Sequence, residues 1–288
     1  MAITTMTRRE AIRLVGSMPL VARTAGQGES VPPLAPGAPM SPERRALIDA
    51  FSAKLPGIAD RFEPRTHKSS FAMPYRLFRP SGTARPPLVL YLHGSGGLGD
   101  DNQKQLGLGN IFGTHVWALP ENQKRFPCYV VAPQTDRGWA KYQASSGQPP
   151  RVVAGFGDGA TLALEIIQAL VREFAIDERR IYVTGQSMGG AGVWNLIAHR
   201  PQTFAAAVIC CGSATPDDVT VASHVPLWNF HGDADQTVPI AVSRDRIAAL
   251  RKAGGRSLST EYAGVDHNVW EWAYTEPALP PWLFAQHR

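Results

Sequence analysis

The chain of 288 residues predicts an α/β fold with a doubly wound, mostly parallel sheet and no large lid domain, on three observations. Short apolar, β-rich runs recur along it, and they are near-continuous rather than alternating, as strands covered on both faces require. Runs with helical spacing separate them, which implies right-handed crossovers and helices packed on the sheet. The strand-like runs exit into Gly- or Pro-containing turns, and in such a sheet ligands sit beyond the carboxyl ends of the strands.

At the start, Thr7-Arg8-Arg9-Glu10-Ala11-Ile12-Arg13 precedes an apolar stretch, Leu14 to Ala22. This resembles a twin-arginine export signal, with Ala11 in the place of the usual aromatic, so residues 1–25 are expected to be a signal segment. The expected location is periplasmic or secreted; a basic N-terminus of a cytoplasmic protein is the alternative. Residues 26–42, with Val31-Pro32-Pro33-Leu34-Ala35-Pro36, lack an apolar period and read as a Pro/Gly-rich linker. The folded domain spans 43–288, opening on a helix start at Ser41-Pro42-Glu43.

Strands are expected at Leu88 to Leu92, Cys128 to Ala132, Ile181 to Thr184, Ala205 to Cys210, Leu227 to Phe230 and Leu258 to Tyr262. Helices are expected at Thr161 to Phe174, Ala191 to His199 and Ala241 to Ala253, where apolar residues recur three or four apart.

Composition narrows the function classes. A hydrophobic share of 44% excludes a mainly disordered chain, and no uninterrupted apolar run approaches the roughly 20 residues of a spanning helix. The net charge of +5 is concentrated at Arg8, Arg9, Arg13 and Arg23, so the mature protein is expected to be closer to neutral. No basic stripe with interleaved aromatics follows, and a nucleic-acid partner is not expected. Cys128, Cys210 and Cys211 have neither disulfide-framework nor metal-ligand spacing and read as small buried hydrophobes.

Gly185-Gln186-Ser187-Met188-Gly189-Gly190 lies between a strand and a helix, the context of a nucleophile elbow. The glycines two before and two after Ser187 suit a turn where strand and helix backbones crowd, and the helix N-terminus favours developing negative charge. Serine is a weak nucleophile that needs an imidazole oriented by a carboxylate. In this arrangement the order along the chain is Ser, acid, His. His67, His93 and His115 precede the serine, His199 lies on the following helix, and His224 and His231 come too early, which leaves His267 and the penultimate His287, of which His267 is the base. The acid comes from His231-Gly232-Asp233-Ala234-Asp235, with Asp235 preferred and Asp233 its alternative; Asp266 is too near His267 in sequence. Backbone N–H groups of Met188 and of Ser95, in the loop His93-Gly94-Ser95-Gly96-Gly97, are the expected oxyanion donors. Gly96, Trp139, Gln186 and Trp270 are the candidate substrate contacts. No metal and no cofactor are expected, because His93, His231, Asp233 and His267 lack ligand spacing.

With these residues the chain resembles α/β-hydrolases of the single-domain predicted-peptidase and carboxylesterase group, relatives of feruloyl esterases and polyhydroxybutyrate depolymerases. The resemblance covers about residues 70–285. It rests on Leu92-His93-Gly94-Ser95-Gly96 with Asp101 to Leu106, on Phe126-Pro127-Cys128 with Ala132-Pro133-Gln134, on Ile181 to Gly190 with Trp194, on His231 to Pro239 and on Val265 to Trp270. It implies a Ser187, Asp235, His267 triad. The loop Gly94 to Gly99 departs from the group's usual Glu-Arg-Gly pattern, and Cys210-Cys211 stands where Gly is frequent.

The short connection between Cys210 and Pro226 leaves no length for a lid, so an open cleft is expected, walled by 96–124 and by 135–157 with Trp139, Tyr142 and Pro149-Pro150. An open cleft with aromatics suits small or aromatic acyl esters, free or linked to polysaccharide, better than long acyl chains. The expected function is hydrolysis of carboxylic esters through an acyl-enzyme. A serine peptidase or amidase with the same triad, and a non-catalytic carbohydrate-binding protein of the same fold, are the alternatives.

Overall fold

The computed structural model describes Arg23, Thr24 and residues 42–288, apart from 83, 146, 147, 214 and 216; the side chains of 23, 24, 144, 145 and 148–151 are not described. The export segment and nearly all of the linker therefore lie outside the described residues.

The strands are β1 (Arg23–Thr24), β2 (Glu63–Lys68), β3 (Ala72–Phe78), β4 (Leu88–Leu92), β5 (Tyr129–Pro133), β6 (Lys141–Ser145), β7 (Gln148–Val153), β8 (Ile181–Gln186), β9 (Ala206–Cys210), β10 (Leu227–Gly232) and β11 (Ser257–Tyr262). The helices are α1 (Pro42–Ser52), α2 (Asn110–Ala118), α3 (Pro120–Arg125), α4 (Asp158–Glu173), α5 (Met188–His199), α6 (Ala241–Lys252), α7 (Trp270–Ala273) and α8 (Leu279–Phe284). No described helix is long and apolar enough to cross a membrane.

Nine strands form one sheet in the order β1-β11-β10-β9-β8-β4-β5-β3-β2. The six strands from β11 to β5 run parallel, while β3, β2 and β1 are antiparallel additions at the two sides. From β4 the chain first goes to β5 on one side and then crosses to β8 on the other. That reversal opens a crevice above the carboxyl ends of β4 and β8, where their connections diverge.

Both faces of the parallel strands are covered, which explains their continuous apolar runs. In β4, Val89 and Tyr91 join Trp117, Tyr182, Val208, Phe230, Tyr274 and Leu283 on one face. Leu88, Leu90 and Leu92 join Val131, Ile167, Val183, Trp194, Ile209 and Ile247 on the other. Each fully buried Leu, Ile or Phe side chain contributes roughly 1.5–3 kcal/mol from removal of apolar surface from water.

Each expected strand and helix is present within a few residues of its sequence bounds. Strands β2 and β3, which carry Pro64 and Pro74, are additions to the strands expected from the sequence. Edge strand β2 alternates half-buried and exposed residues that are all polar or Pro, so it shows no apolar period. The segment read as loop wall between 135 and 157 contains the β6–β7 hairpin.

Candidate active site

Ser187 stands between β8 and α5 with φ 53° and ψ −117°, a left-handed conformation that costs a non-glycine residue about 1–3 kcal/mol. The surroundings impose it: Ser187 N–H donates to the Cys210 carbonyl at 2.9 Å, and its own carbonyl accepts Ala191 N–H at 3.0 Å. A Cβ on Gly189 would strike the Leu92 carbonyl oxygen, and one on Gly185 would come within 2.6 Å of the Gly189 backbone. The two glycines flanking the serine are thus required because β4, β8 and α5 meet backbone to backbone.

His267 lies in the connection from β11 to α7. Its Nε2 is 2.7 Å from Ser187 Oγ, and its Nδ1 is 2.8 Å from Asp235 Oδ2. Asp235 is buried, and its Oδ1 accepts the N–H groups of Thr237 and Val238, each at 2.8 Å. With an anion at Nδ1, that nitrogen carries the proton and Nε2 is free to accept from the serine hydroxyl.

The loop around the base is pinned at several points. Asp266 Oδ1 accepts His267 N–H at 2.7 Å and Gln236 N–H at 2.9 Å. Asp233 Oδ1 accepts Gly264 N–H at 2.7 Å, so the alternative acid is spent on the neighbouring loop. The Trp270 ring stands perpendicular to the His267 imidazole at 5.6 Å, and the Cys211 thiol donates to the His267 carbonyl at 3.2 Å. Burial pushes the Cys211 thiol well up, which keeps it protonated.

The loop after β4 faces the elbow. A Cβ on Gly94 would sit 3.4 Å from the Gln186 carbonyl, so the start of this loop packs against the residue that precedes the nucleophile. Among the described residues no acceptor meets the N–H of Ser95, Gly96 or Met188, which leaves them available to a developing oxyanion.

Buried polar groups hold this loop. His93 Nδ1–H donates to the Gly94 carbonyl at 2.8 Å, and its Nε2 accepts Thr135 N–H at 3.2 Å. Burial lowers the His93 pKa to about 4, so the ring stays neutral and keeps one donor and one acceptor. Asn110 Oδ1 accepts Gly94 N–H at 2.8 Å, and Gln134 Nε2 donates to the Gly97 carbonyl at 3.0 Å.

Two of the four candidate substrate contacts are corrected. Trp139 is fully buried: its indole N–H donates to the His93 carbonyl at 2.9 Å, its ring packs edge-on against His93, and it supports the loop from below. Gln186 is buried as well, and its Oε1 accepts the Tyr91 hydroxyl at 2.9 Å. Gly96 is exposed with open space around its Cβ position, and half-buried Trp270 covers one side of His267. Tyr142 of β6 shares the space beside Gly138 with the Met188 side chain, which brings the hairpin next to the elbow. Its phenol is mostly buried, and burial raises its pKa to about 12.

Donor atoms of Cys211, Asp235 and His267 lie within 4.8 Å of one another, but Nδ1 and Oδ2 are engaged with each other and the thiol with a carbonyl. That is the geometry of an oriented acid and base rather than of ligands converging on an open position.

The model of the Phospholipase/Carboxylesterase family matches residues 79–274. NocK of Nocardia uniformis subsp. tsuyamanensis, assigned as an esterase, is 27% identical over 252 residues, covering 81% of this chain and 66% of NocK. A crystal structure of a thermostable esterase is 36% identical, with a TM-score of 0.74 over 80% of this chain and 64% of the other. The chain thus spans just under two thirds of the length of these two relatives. The structure of a ferulic acid esterase of Anaeromyces mucronatus is 14% identical, with a TM-score of 0.55 over 75% of this chain and 89% of the other, a likeness of fold.

Proposed function

The chain belongs to the phospholipase/carboxylesterase family of α/β-hydrolases, and from that premise we propose that it hydrolyses carboxylic esters through a covalent acyl-enzyme on Ser187. The observation that carries the reading is the unbroken hydrogen-bonded chain from Ser187 Oγ through the His267 ring to the buried Asp235 carboxylate. Ser187 Oγ attacks the ester carbonyl carbon as His267 Nε2 takes its proton, and Asp235 stabilises the imidazolium. The N–H groups of Ser95 and Met188 receive the negative charge on the carbonyl oxygen. Collapse of the tetrahedral intermediate expels the alkoxide, which takes the proton from His267 and leaves as alcohol. Water, activated by the same imidazole, then attacks the acyl-enzyme and releases the acid.

Small or aromatic acyl groups are the substrates the cleft favours. Among its described residues the connection from β9 to β10 holds one short helical turn, Val219–Ala222, and exposed Gly96, half-buried Trp270 and Tyr142 surround the elbow. An open site with two aromatic faces suits a short or flat acyl group and gives a long chain little enclosure.

The test compares p-nitrophenyl acetate and butyrate with the matching anilides, using wild type and Ser187→Ala. Ester turnover is expected to fall at least about 10³-fold in the variant. Turnover that survives the substitution removes Ser187 from the reaction, and faster cleavage of the anilides makes the protein an amidase.

A further inference from the structure

His231 lies in β10, four residues before Asp235, and is fully buried. Its Nε2 is 2.8 Å from the Val238 carbonyl oxygen and 3.2 Å from Asp235 Oδ2, the oxygen that also accepts His267 Nδ1–H. Both oxygens only accept, so Nε2 must carry the proton; a bare nitrogen there would face two lone-pair donors. Nδ1 is then an acceptor, and the Ser243 hydroxyl, 2.7 Å away on α6, donates to it. Ser243 Oγ is 3.3 Å from the Asn229 amide oxygen, while the Asn229 nitrogen is buried without a partner among the described residues. Half a turn of that amide gives Ser243 the donor its lone pair lacks and the nitrogen an acceptor.

We propose that His231 is a positioning residue for Asp235: its Nε2–H, shared with the Val238 carbonyl, also restrains Asp235 Oδ2, the oxygen that meets His267, and Ser243 with Asn229 fixes the tautomer that makes this possible. Backbone N–H groups restrain Oδ1 alone, so without His231 the oxygen facing the base would be held by the base itself. With it, Oδ2 keeps its place while the His267 ring passes its proton to the leaving group. Burial lowers the His231 pKa, so the donor is neutral and puts no charge beside the imidazolium. Sharing Oδ2 also withdraws electron density from that oxygen. The other titratable groups around this pair are the buried Cys211 thiol, Asp266 on the backbone of His267, and Asp233, which Gly264 N–H holds and Arg244 attracts.

The inference rests on the reading of Asp235 as partner of the base, and its test needs no substrate. In the full chain, ¹⁵N NMR of the His267 ring gives its pKa in wild type, His231→Leu, His231→Gln and Ser243→Ala. His231→Leu leaves Oδ2 more basic, so the His267 pKa should rise by roughly one unit; Ser243→Ala, the milder change should the first fail to fold, should move it less in the same direction. His231→Gln, which returns an N–H, should restore the wild-type titration. On the ester, His231→Leu should lower kcat roughly 10- to 100-fold at unchanged KM, the scale seen for outer partners of functional imidazoles at metal sites. In an Asp235→Asn background the same substitution should cost nothing further, because its effect passes through Asp235. An unchanged His267 titration in both His231→Leu and Ser243→Ala, or an equal loss of rate in the Asp235→Asn background, overturns the assignment. Absence of ester turnover in the wild type would count against the esterase reading alone, with the titration still deciding the role of His231.

Discussion

Ser187 keeps its left-handed backbone because its neighbours leave no other path, and Gly189 shows how little space is available. A methyl group at 189 meets the Leu92 carbonyl at the carboxyl end of β4, where β4 and β8 are paired and the backbone has no room to retreat. Gly189→Ala should therefore displace the elbow, lowering kcat by about 10²-fold and stability by roughly 1–3 kcal/mol. Gly96→Ala, whose Cβ meets nothing within 4 Å, should leave the melting temperature unchanged. Equal thermal melts and wild-type turnover for Gly189→Ala would refute this account of the elbow. The serine and base were legible in the sequence because their signals are local: glycines at fixed offsets, and the order of three residue types. The burial of Trp139 and Gln186 is not legible there, because nothing local says which way a loop turns an aromatic or an amide. Only the folded loop shows the Trp139 N–H on the His93 carbonyl and Gln186 beneath Gly94. Chain order excludes His231 as the base, and its tie to the acid exists only in three dimensions.

At the scale of elements, the parallel strands could be read because burial on both faces makes them apolar throughout, whereas the β6–β7 hairpin has no such reason to be. Its sequence carries Lys141, Gln143, Gln148 and Arg151 with Pro149-Pro150 between the last two, which leaves no apolar period, so it looks like a loop in sequence. Its descending end is secured by a polar latch on α5. Asp217 Oδ1 accepts Gly155 N–H at 3.0 Å, Asn195 Nδ2 donates to the Gly155 carbonyl at 3.1 Å and to Asp217 Oδ2 at 3.2 Å, and Asn195 Oδ1 accepts Gly157 N–H at 3.1 Å. Thr215 and Arg246 brace Asp217 in turn. Since the hairpin brings Tyr142 beside Met188, loosening the latch should blur one wall of the cleft without touching the acid and base. Asp217→Ala is expected to cost about 1–3 kcal/mol for the groups left unpaired and to raise KM several-fold at nearly constant kcat, with faster amide exchange over 138–157. Unchanged exchange together with unchanged KM would show that the hairpin stands independently of Asp217.

The whole molecule keeps several imidazoles buried in its interior, and this sets how it answers to acid. His93 and His115 are buried, and loss of hydration lowers each pKa from 6.5 to about 4; burial lowers His231 too, against the pull of Asp235. An imidazole whose folded pKa lies below its unfolded value takes up its proton on unfolding throughout the window between the two. Stability is therefore fully present above pH 6.5 and drains away as the pH falls towards 4. A drop from 6.5 to about 4, at about 1.36 kcal/mol per unit, is worth roughly 3 kcal/mol for each of His93 and His115 as an upper bound. The lowered carboxyls of Asp217 and Glu165 act in the same direction at lower pH. Glu276 opposes them, because burial raises its carboxyl and favours the folded state in acid. The balance predicts that the urea midpoint falls between pH 7 and pH 5, with a slope equivalent to about two protons taken up per molecule unfolded. Replacing His93 by Gln destabilises the fold at every pH but removes one titrating group, so the discriminating quantity is the slope, which should shrink by up to one proton. Midpoints that coincide at the two pH values, or a slope unchanged in His93→Gln, would mean that these histidines titrate alike folded and unfolded and that their burial does not govern the response of the molecule to acid.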